Sequence, residues 1–125
     1  MLTIKSNVDS GMFWAMQEAG AKALGNSAEW HAERNAVYQG RLEASEALLR
    51  TLGCTWDDKQ EGMFLWGKLP DSTESAEALV NSILVEKHVF IAPGFIFGPK
   101  GQRYIRLSLC LPKERIWQAV ERIKG

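Results

Sequence analysis

The residues from Tyr104 to Leu111 alternate strictly between two kinds of side chain. Every second residue is branched and apolar, and these residues are Ile105, Leu107, Leu109 and Leu111. The intervening positions carry a mixed set, namely Tyr104, Arg106, Ser108 and Cys110. A period of two places the apolar set on one face of a β-strand, so this segment predicts a strand with one face in a core. The chain therefore cannot be purely helical.

Helical spacing dominates the N-terminal part of the chain. Apolar residues predict a first helix over residues 7–25, with Asp9 or Ser10 as its N-cap. A longer pattern over residues 27–52 predicts a second helix, and the hydroxyl of Ser27 can cap its first turn. Both helices end at a glycine, the residue that most often follows a helix.

Two more helices are predicted in the C-terminal half. Asp71 and Glu74 have the spacing of a capping box, and the apolar pattern that follows predicts a third amphipathic helix. Pro112 is predicted at the first position of a terminal helix, where its missing N–H costs nothing.

Short apolar runs predict the rest of a sheet. Residues 63–66 are typical of a strand buried on both faces, and residues 88–92 are a second strand candidate. The Gly/Pro-rich segment 93–101 is predicted to be a structural turn, with residues 95–97 as a loop or a short strand stub inside it. It is too short for a parallel crossover, so the strands on either side of it are antiparallel. The sequence predicts an α+β fold with a small mixed or antiparallel sheet and helices packed on one face.

The length and charge of the chain limit its function. Its 125 residues are 46% apolar, enough for one core without disulfide or metal staples. The 15 basic and 15 acidic side chains leave no positive surplus, so nucleic acid and anionic membranes are not expected partners. No segment approaches the roughly 20 apolar residues of a membrane span, and no signal-peptide pattern is present. A cytoplasmic protein is expected.

Few residues are candidates for chemistry. Arg106 lies mid-strand on the polar face, where its guanidinium either binds a carboxylate ligand or pairs with a nearby Asp or Glu. The pattern alone favours the protein ion pair. Cys54 and Cys110 are expected to be buried or half-buried thiols. His31 and His88 have no His or Cys companions at ligand spacing, so no metal site is predicted.

Five motifs, taken in order, resemble the C-terminal part of class I/II aminotransferases, which are pyridoxal-phosphate enzymes of fold type I. The motifs are Lys5-Ser-Asn-Val-Asp-Ser-Gly11 with the Gln17 to Leu24 segment, Tyr38-x-x-Arg41, Gly62-Met-Phe64-x-Trp66-x-x-Leu-Pro70, Pro93-Gly94-x-x-Phe97-Gly98 and Tyr104-Ile-Arg106-Leu-Ser108. The resemblance covers the chain from about Lys5 to Lys124.

The resemblance implies a domain organisation and a site. Residues 1–26 would be the tail end of the large, cofactor-binding domain, and residues 27–125 would be the small C-terminal domain. The helix over residues 27–52 would then be the long interdomain helix. The family's substrate-binding arginine falls on Arg106, so the resemblance favours the carboxylate ligand that the pattern alone did not.

The resemblance also implies what the chain lacks. In the family, pyridoxal phosphate is held by a Schiff-base lysine, an aspartate and a phosphate-binding loop, all of which precede Lys5 in the family's order. None of the eight lysines lies in the family's Ser-x-x-Lys or Ser-Lys context. We therefore expect a fragment of a homodimeric parent that acts on amino acids and 2-oxo acids, with the large domain missing. No catalytic residue, bound cofactor or metal is expected in this chain alone.

A second hypothesis is a stand-alone, non-catalytic α+β module that binds a ligand or partner. The two hypotheses differ over residues 1–26. A remnant of a large domain would leave the apolar residues Met12, Phe13 and Trp14 without cover, whereas a stand-alone module would pack them.

Overall fold

The computed structural model describes residues 2–8 and 11–125. The α-helices are α1 (Leu2–Val8), α2 (Trp14–Leu24), α3 (Ala28–Thr51), α4 (Ala76–Lys87) and α5 (Lys113–Lys124). The strands are β1 (Phe64–Lys68), β2 (Ala92–Pro93) and β3 (Tyr104–Ser108). The chain divides into two compact units, Met1–Asn35 and Ala36–Gly125.

The segment that precedes α3 contains two helices, α1 and α2, where the sequence predicts one. The predicted helix over residues 7–25 is interrupted, because Gly11 has a φ of +93°, outside the helical region. The second of the two helices, α2, follows Phe13, whose side chain makes no capping hydrogen bond. The predicted caps Asp9 and Ser10 lie outside the described residues. No residue of α2 is buried.

The long helix α3 agrees with its prediction to within one residue at each end. The hydroxyl of Ser27 accepts a hydrogen bond from the backbone N–H of Trp30 at 3.2 Å, as an N-cap does. At the other end Gly53 has a φ of +69°, a conformation that favours glycine. The buried residues of α3 all fall in its second half, and they are Ala44, Ser45, Leu48 and Leu49.

The described strands form one antiparallel sheet in the order β1-β3-β2. Residues Leu65 and Gly67 of β1 are buried, whereas Phe64 and Lys68 are exposed. The prediction of a strand buried on both faces is therefore wrong, because the second face of β1 is left uncovered. The predicted strand over residues 88–92 is wrong except at Ala92, because β2 consists of Ala92 and Pro93 alone. The strand ends there because the chain turns into a 3-10 helix at Gly94.

Helices α3, α4 and α5 pack on the buried face of the sheet. The core they share includes Leu48, Leu49, Leu65, Val80, Ile83, Ile105, Leu107 and Val120. Because β3 ends at Ser108, Leu109 is still buried but Leu111, predicted to face the core, is 56% exposed. The structure confirms the α+β class and shows that the sheet is purely antiparallel.

Two helix starts differ from their predictions. The N-cap of α4 is Ser75, whose hydroxyl accepts from the backbone N–H of Ala78 at 3.0 Å, so the predicted Asp71–Glu74 capping box is wrong. Helix α5 begins at Lys113, and Pro112 is its N-cap rather than its first residue. Its buried face consists of Ile116 and Val120.

Candidate functional site

The face of the sheet turned away from the core is aromatic and cationic. Antiparallel pairing places Trp66 of β1 and Ala92 of β2 on either side of Arg106 in β3. Residues in register share a face of the sheet, and so do residues two apart on one strand. The outer face therefore carries Phe64, Trp66, Lys68, Ala92, Tyr104, Arg106 and Ser108.

The guanidinium of Arg106 contacts two aromatic rings. Its Cζ atom lies 4.1 Å from the ring centroid of Phe64 and 3.7 Å from that of Phe97. The residue is half-buried. Within residues 2–8 and 11–125 its side chain makes no hydrogen bond and no ion pair, so the Asp or Glu partner that the pattern alone favoured is not found there. The N–H donors of Arg106 are thus not used by the described residues.

A cavity of about 600 Å³ lies on the same face. It is lined by Trp66, Gly94, Phe97, Gly98, Pro99, Lys100, Gly101 and Tyr104. The ring of Trp66 meets those of Phe97 and Tyr104 edge to face, with centroids 5.5 Å and 6.3 Å apart. Phe97 both lines this cavity and contacts Arg106, so the cavity and the guanidinium are neighbours.

Two glycines build the loop that presents Phe97. The chain makes two 3-10 turns, Gly94–Phe97 and Pro99–Gly101, and Gly94 packs backbone to backbone against Gly101. A Cβ on either glycine would overlap the other's backbone, so no side chain fits there. The glycines therefore form a structural turn, as predicted from the sequence.

Gln60 supports β1 from outside the sheet, a contact that no sequence pattern indicates. Its Nε2 donates to the carbonyl of Trp66 and its Oε1 accepts from the N–H of Trp66, both at 2.9 Å. Beside it, the backbones of Thr55 and Lys68 exchange two hydrogen bonds of 3.0 and 2.7 Å. In the sequence Gln60 lies in the polar run 57–61. A contact made by one polar side chain produces no periodic pattern, so the sequence does not reveal it.

Arg103, three residues before Arg106, has a different role. Its Nη1 donates to the carbonyls of Thr73 and Glu74 at 2.7 and 3.2 Å, and its Nη2 donates to that of Pro70 at 2.7 Å. These bonds fix the segment between β1 and α4. Arg103 uses its donors within the fold, whereas Arg106 does not.

The two thiols differ in exposure. Cys54 is 5% exposed, and burial raises its pKa to about 11, so the protonated thiol predominates at neutral pH. Cys110 is exposed. The prediction that it would be buried or half-buried is wrong, because β3 ends at Ser108 and Cys110 falls in the turn beyond it.

The described residues contain neither a metal-binding cluster nor a membrane-spanning helix. Across that part of the chain, no three His, Cys, Asp or Glu side chains are grouped so that they could hold a metal ion. None of the helices in residues 2–8 and 11–125 has the length and hydropathy needed to cross a membrane.

Residues 5–123 match the model of the family Aminotransferase class I and II, and the chain belongs to that family. It is 36% identical over 120 residues to the LL-diaminopimelate aminotransferase of Maridesulfovibrio salexigens. It is 37% identical over 122 residues to the enzyme of the same name from Aquifex aeolicus. These alignments cover 96% and 98% of the chain but 31% of each relative, so the chain spans about a third of the length of these relatives.

Solved structures agree with the sequence comparison. A probable N-succinyldiaminopimelate aminotransferase from Thermus thermophilus superposes with a TM-score of 0.79 at 30% identity. The match covers 98% of this chain and 32% of that structure. The fold is therefore that of one part of an aminotransferase.

The cavity beside Arg106 does not fit the family's cofactor. Pyridoxal phosphate is held by a lysine that forms a Schiff base and by an aspartate at the pyridinium nitrogen. The cavity lining has one amine, Lys100, and no carboxylate. Its remaining polar side chains are the phenol of Tyr104 and the indole N–H of Trp66, which do not replace an aspartate.

Proposed function

We propose that this chain supplies the substrate-carboxylate site of an aminotransferase that moves an amino group between an α-amino acid and a 2-oxo acid. The observation that carries the proposal is the guanidinium of Arg106, which is half-buried against Phe64 and Phe97 and has no carboxylate partner in the described residues. The planar guanidinium can donate two parallel hydrogen bonds to the two oxygens of one carboxylate. Such a bidentate pair fixes the orientation of the bound amino acid. The relatives' names specify LL-diaminopimelate, which is itself an α-amino acid.

In this proposal the chemistry at the amino group depends on residues beyond these 125. Residues 1–26 belong with the large domain and residues 27–125 form the small one, in a homodimeric parent. Pyridoxal phosphate supplies the electron sink for amino transfer when bound to that parent. The exposed side chains of Met12, Phe13 and Trp14 support this assignment, because an apolar run at the surface is typical of a covered interface.

The carboxylate site is tested by titrating the chain with sodium acetate, against sodium chloride at equal ionic strength. The readout is the Nε–Hε NMR signal of Arg106, assigned by its loss in Arg106→Gln. We expect a saturable shift with acetate only. Arg115→Gln, which removes an exposed arginine elsewhere, is the matched control and should not change the titration. Acetate binding to Arg106→Gln, which lacks that signal, is followed through the backbone amide signals. Binding that is as tight as in the wild type by those signals would contradict the proposal.

The proposed dependence on a larger parent has a separate test. The chain is mixed with pyridoxal phosphate, reduced with borohydride and analysed by mass spectrometry for lysine adducts. We expect only scattered, substoichiometric adducts on exposed lysines. A single stoichiometric adduct whose visible absorbance changes on adding an amino acid would show that the chain is an enzyme by itself.

A further inference from the structure

The guanidinium of Arg106 contacts the rings of Phe64 and Phe97, whereas an arginine on a sheet surface ordinarily pairs with an acidic residue. We propose that this ring pair, Phe64 and Phe97, positions the guanidinium of Arg106 while leaving its N–H donors free for a carboxylate. The inference rests on the proposed function, because it assigns a role to the neighbours of the proposed substrate-binding arginine. Neither ring is given a contact with substrate, so both are positioning residues.

The two rings reach Arg106 from separate parts of the chain. Phe64 is the first residue of β1, and Phe97 ends the 3-10 turn that Gly94 begins. Their side chains are 43% and 46% exposed, and neither belongs to the core. Large aromatic residues gain most of their stabilisation from burial. More than half of each residue is buried although both lie outside the core, and both rings contact Arg106. This shared contact is the feature of their placement that calls for a function.

An aromatic ring and a carboxylate differ in which N–H donors of a neighbouring arginine they leave free. A carboxylate partner accepts the in-plane N–H donors of arginine and neutralises its charge. A ring attracts the cation through its electron-rich face and takes up none of those in-plane donors. Arg106 therefore keeps its charge and its fork while its side chain is held in place. A side chain that is already ordered loses less conformational freedom when a ligand binds.

Other arginines in the described residues show the contrast. Arg103 donates to three backbone carbonyls. Arg50 lies 5.2 Å from the Trp56 centroid, and its Nη2 also binds Glu46 at 3.0 Å. Arg106 has the two shortest cation–ring distances and no polar partner in the part of the chain that the structure describes. Its environment thus combines close support with unused donors.

The test compares ring-pair variants in the full 125-residue chain by the acetate titration of Arg106. Phe97→Leu and Phe64→Leu remove one ring each, and Phe97→Tyr restores an aromatic face. Phe95→Leu is the matched control, since Phe95 is 38% exposed in the same turn and its ring makes no cation–π contact with an arginine among the described residues. Backbone amide spectra verify that each variant is folded.

We expect the acetate dissociation constant to rise roughly three- to tenfold in each leucine variant. It should return to the wild-type value in Phe97→Tyr and stay unchanged in Phe95→Leu. The Nε–Hε proton of Arg106 should also lose an upfield ring-current shift in the leucine variants. This second readout reports the stacking directly and does not depend on acetate.

The outcomes separate the two proposals. If Arg106→Gln abolishes acetate binding but the leucine variants bind as the wild type does, the ring pair has no positioning role and the proposed function stands. If acetate leaves the wild-type Arg106 signal unchanged, or binds equally well to Arg106→Gln, the proposed function fails, and the positioning role fails with it. A wild-type signal without a ring-current shift overturns the ring-pair proposal alone.

Discussion

The side-chain amide of Gln60 pairs with the backbone of Trp66 as a neighbouring strand would. It donates to the carbonyl and accepts from the N–H of the same residue, both at 2.9 Å. Strand β1 is an edge of the sheet, and an edge strand exposes unpaired backbone groups. Gln60 satisfies those of Trp66, which stands beside Arg106 in the register, and so links an irregular segment to the candidate site.

Replacing Gln60 with glutamate should therefore destabilise the chain. An ionised carboxylate still accepts from the N–H of Trp66 but cannot donate to its carbonyl. We expect a loss of about 1–2 kcal/mol in the free energy of unfolding, measured by urea denaturation at neutral pH. Gln102→Glu is the control, since the side chain of Gln102 is exposed and makes no hydrogen bond within the described residues. Equal loss in both variants would mean that the pairing contributes nothing specific.

Ser45 leads to the opposite expectation. Its side chain is 1% exposed, and its hydroxyl makes no hydrogen bond with any described residue. A buried hydroxyl without a partner costs free energy that alanine does not incur. Ser45→Ala should raise the free energy of unfolding by about 1 kcal/mol beyond any gain in helix propensity.

Ser82→Ala in α4 gives a lower limit for the helix-propensity gain, because this variant also loses an exposed hydrogen bond. Ser82 is an exposed, mid-helix residue whose hydroxyl donates to Glu86 at 2.9 Å. If Ser45→Ala stabilises the chain no more than Ser82→Ala does, the hydroxyl of Ser45 has no net cost.

Gly67 of β1 lies directly against the side chain of Leu49 in α3. A Cβ at this position would lie 2.5 Å from Cδ2 of Leu49 and 3.3 Å from Cβ of Cys54. Gly67→Ala should cost about 1–3 kcal/mol through overpacking. Leu49→Ala removes the obstructing atoms, so the double variant should be more stable than the sum of the two single losses predicts. Additive losses in a double-mutant cycle would contradict this explanation.

The sequence predicted the parts of this fold that repeat. The alternation in β3 and the spacing in α3 each involve many residues, so packing against one face determines both. Other features rest on single side-chain contacts. Arg103 donates a hydrogen bond to the carbonyl of Thr73, and Gln60 donates one to the carbonyl of Trp66. Neither contact produces a periodic pattern in the sequence. At Arg106 the strand pattern predicted the face, but only the fold shows Phe64 and Phe97 beneath the guanidinium.

The buried thiol of Cys54 should lower the free energy of unfolding as the pH becomes alkaline. Burial raises its pKa from 9.0 to about 11, so the folded chain holds this proton more tightly than the unfolded chain does. The contribution is fully present below pH 9 and is lost as the pH rises from 9 to about 11. We expect the free energy of unfolding to fall more steeply over that range in the wild type than in Cys54→Ala, measured by urea denaturation at each pH.

Thiol alkylation checks the same relationship independently. At about pH 8 iodoacetamide should modify Cys110 rapidly and Cys54 only when the chain unfolds, because Cys110 is exposed and Cys54 is 5% exposed. Cys110→Ala isolates the slow reaction, and its rate should rise with urea in step with unfolding. Rapid labelling of Cys54 in the folded Cys110→Ala variant, together with an unchanged pH profile in Cys54→Ala, would show that burial does not protect this thiol.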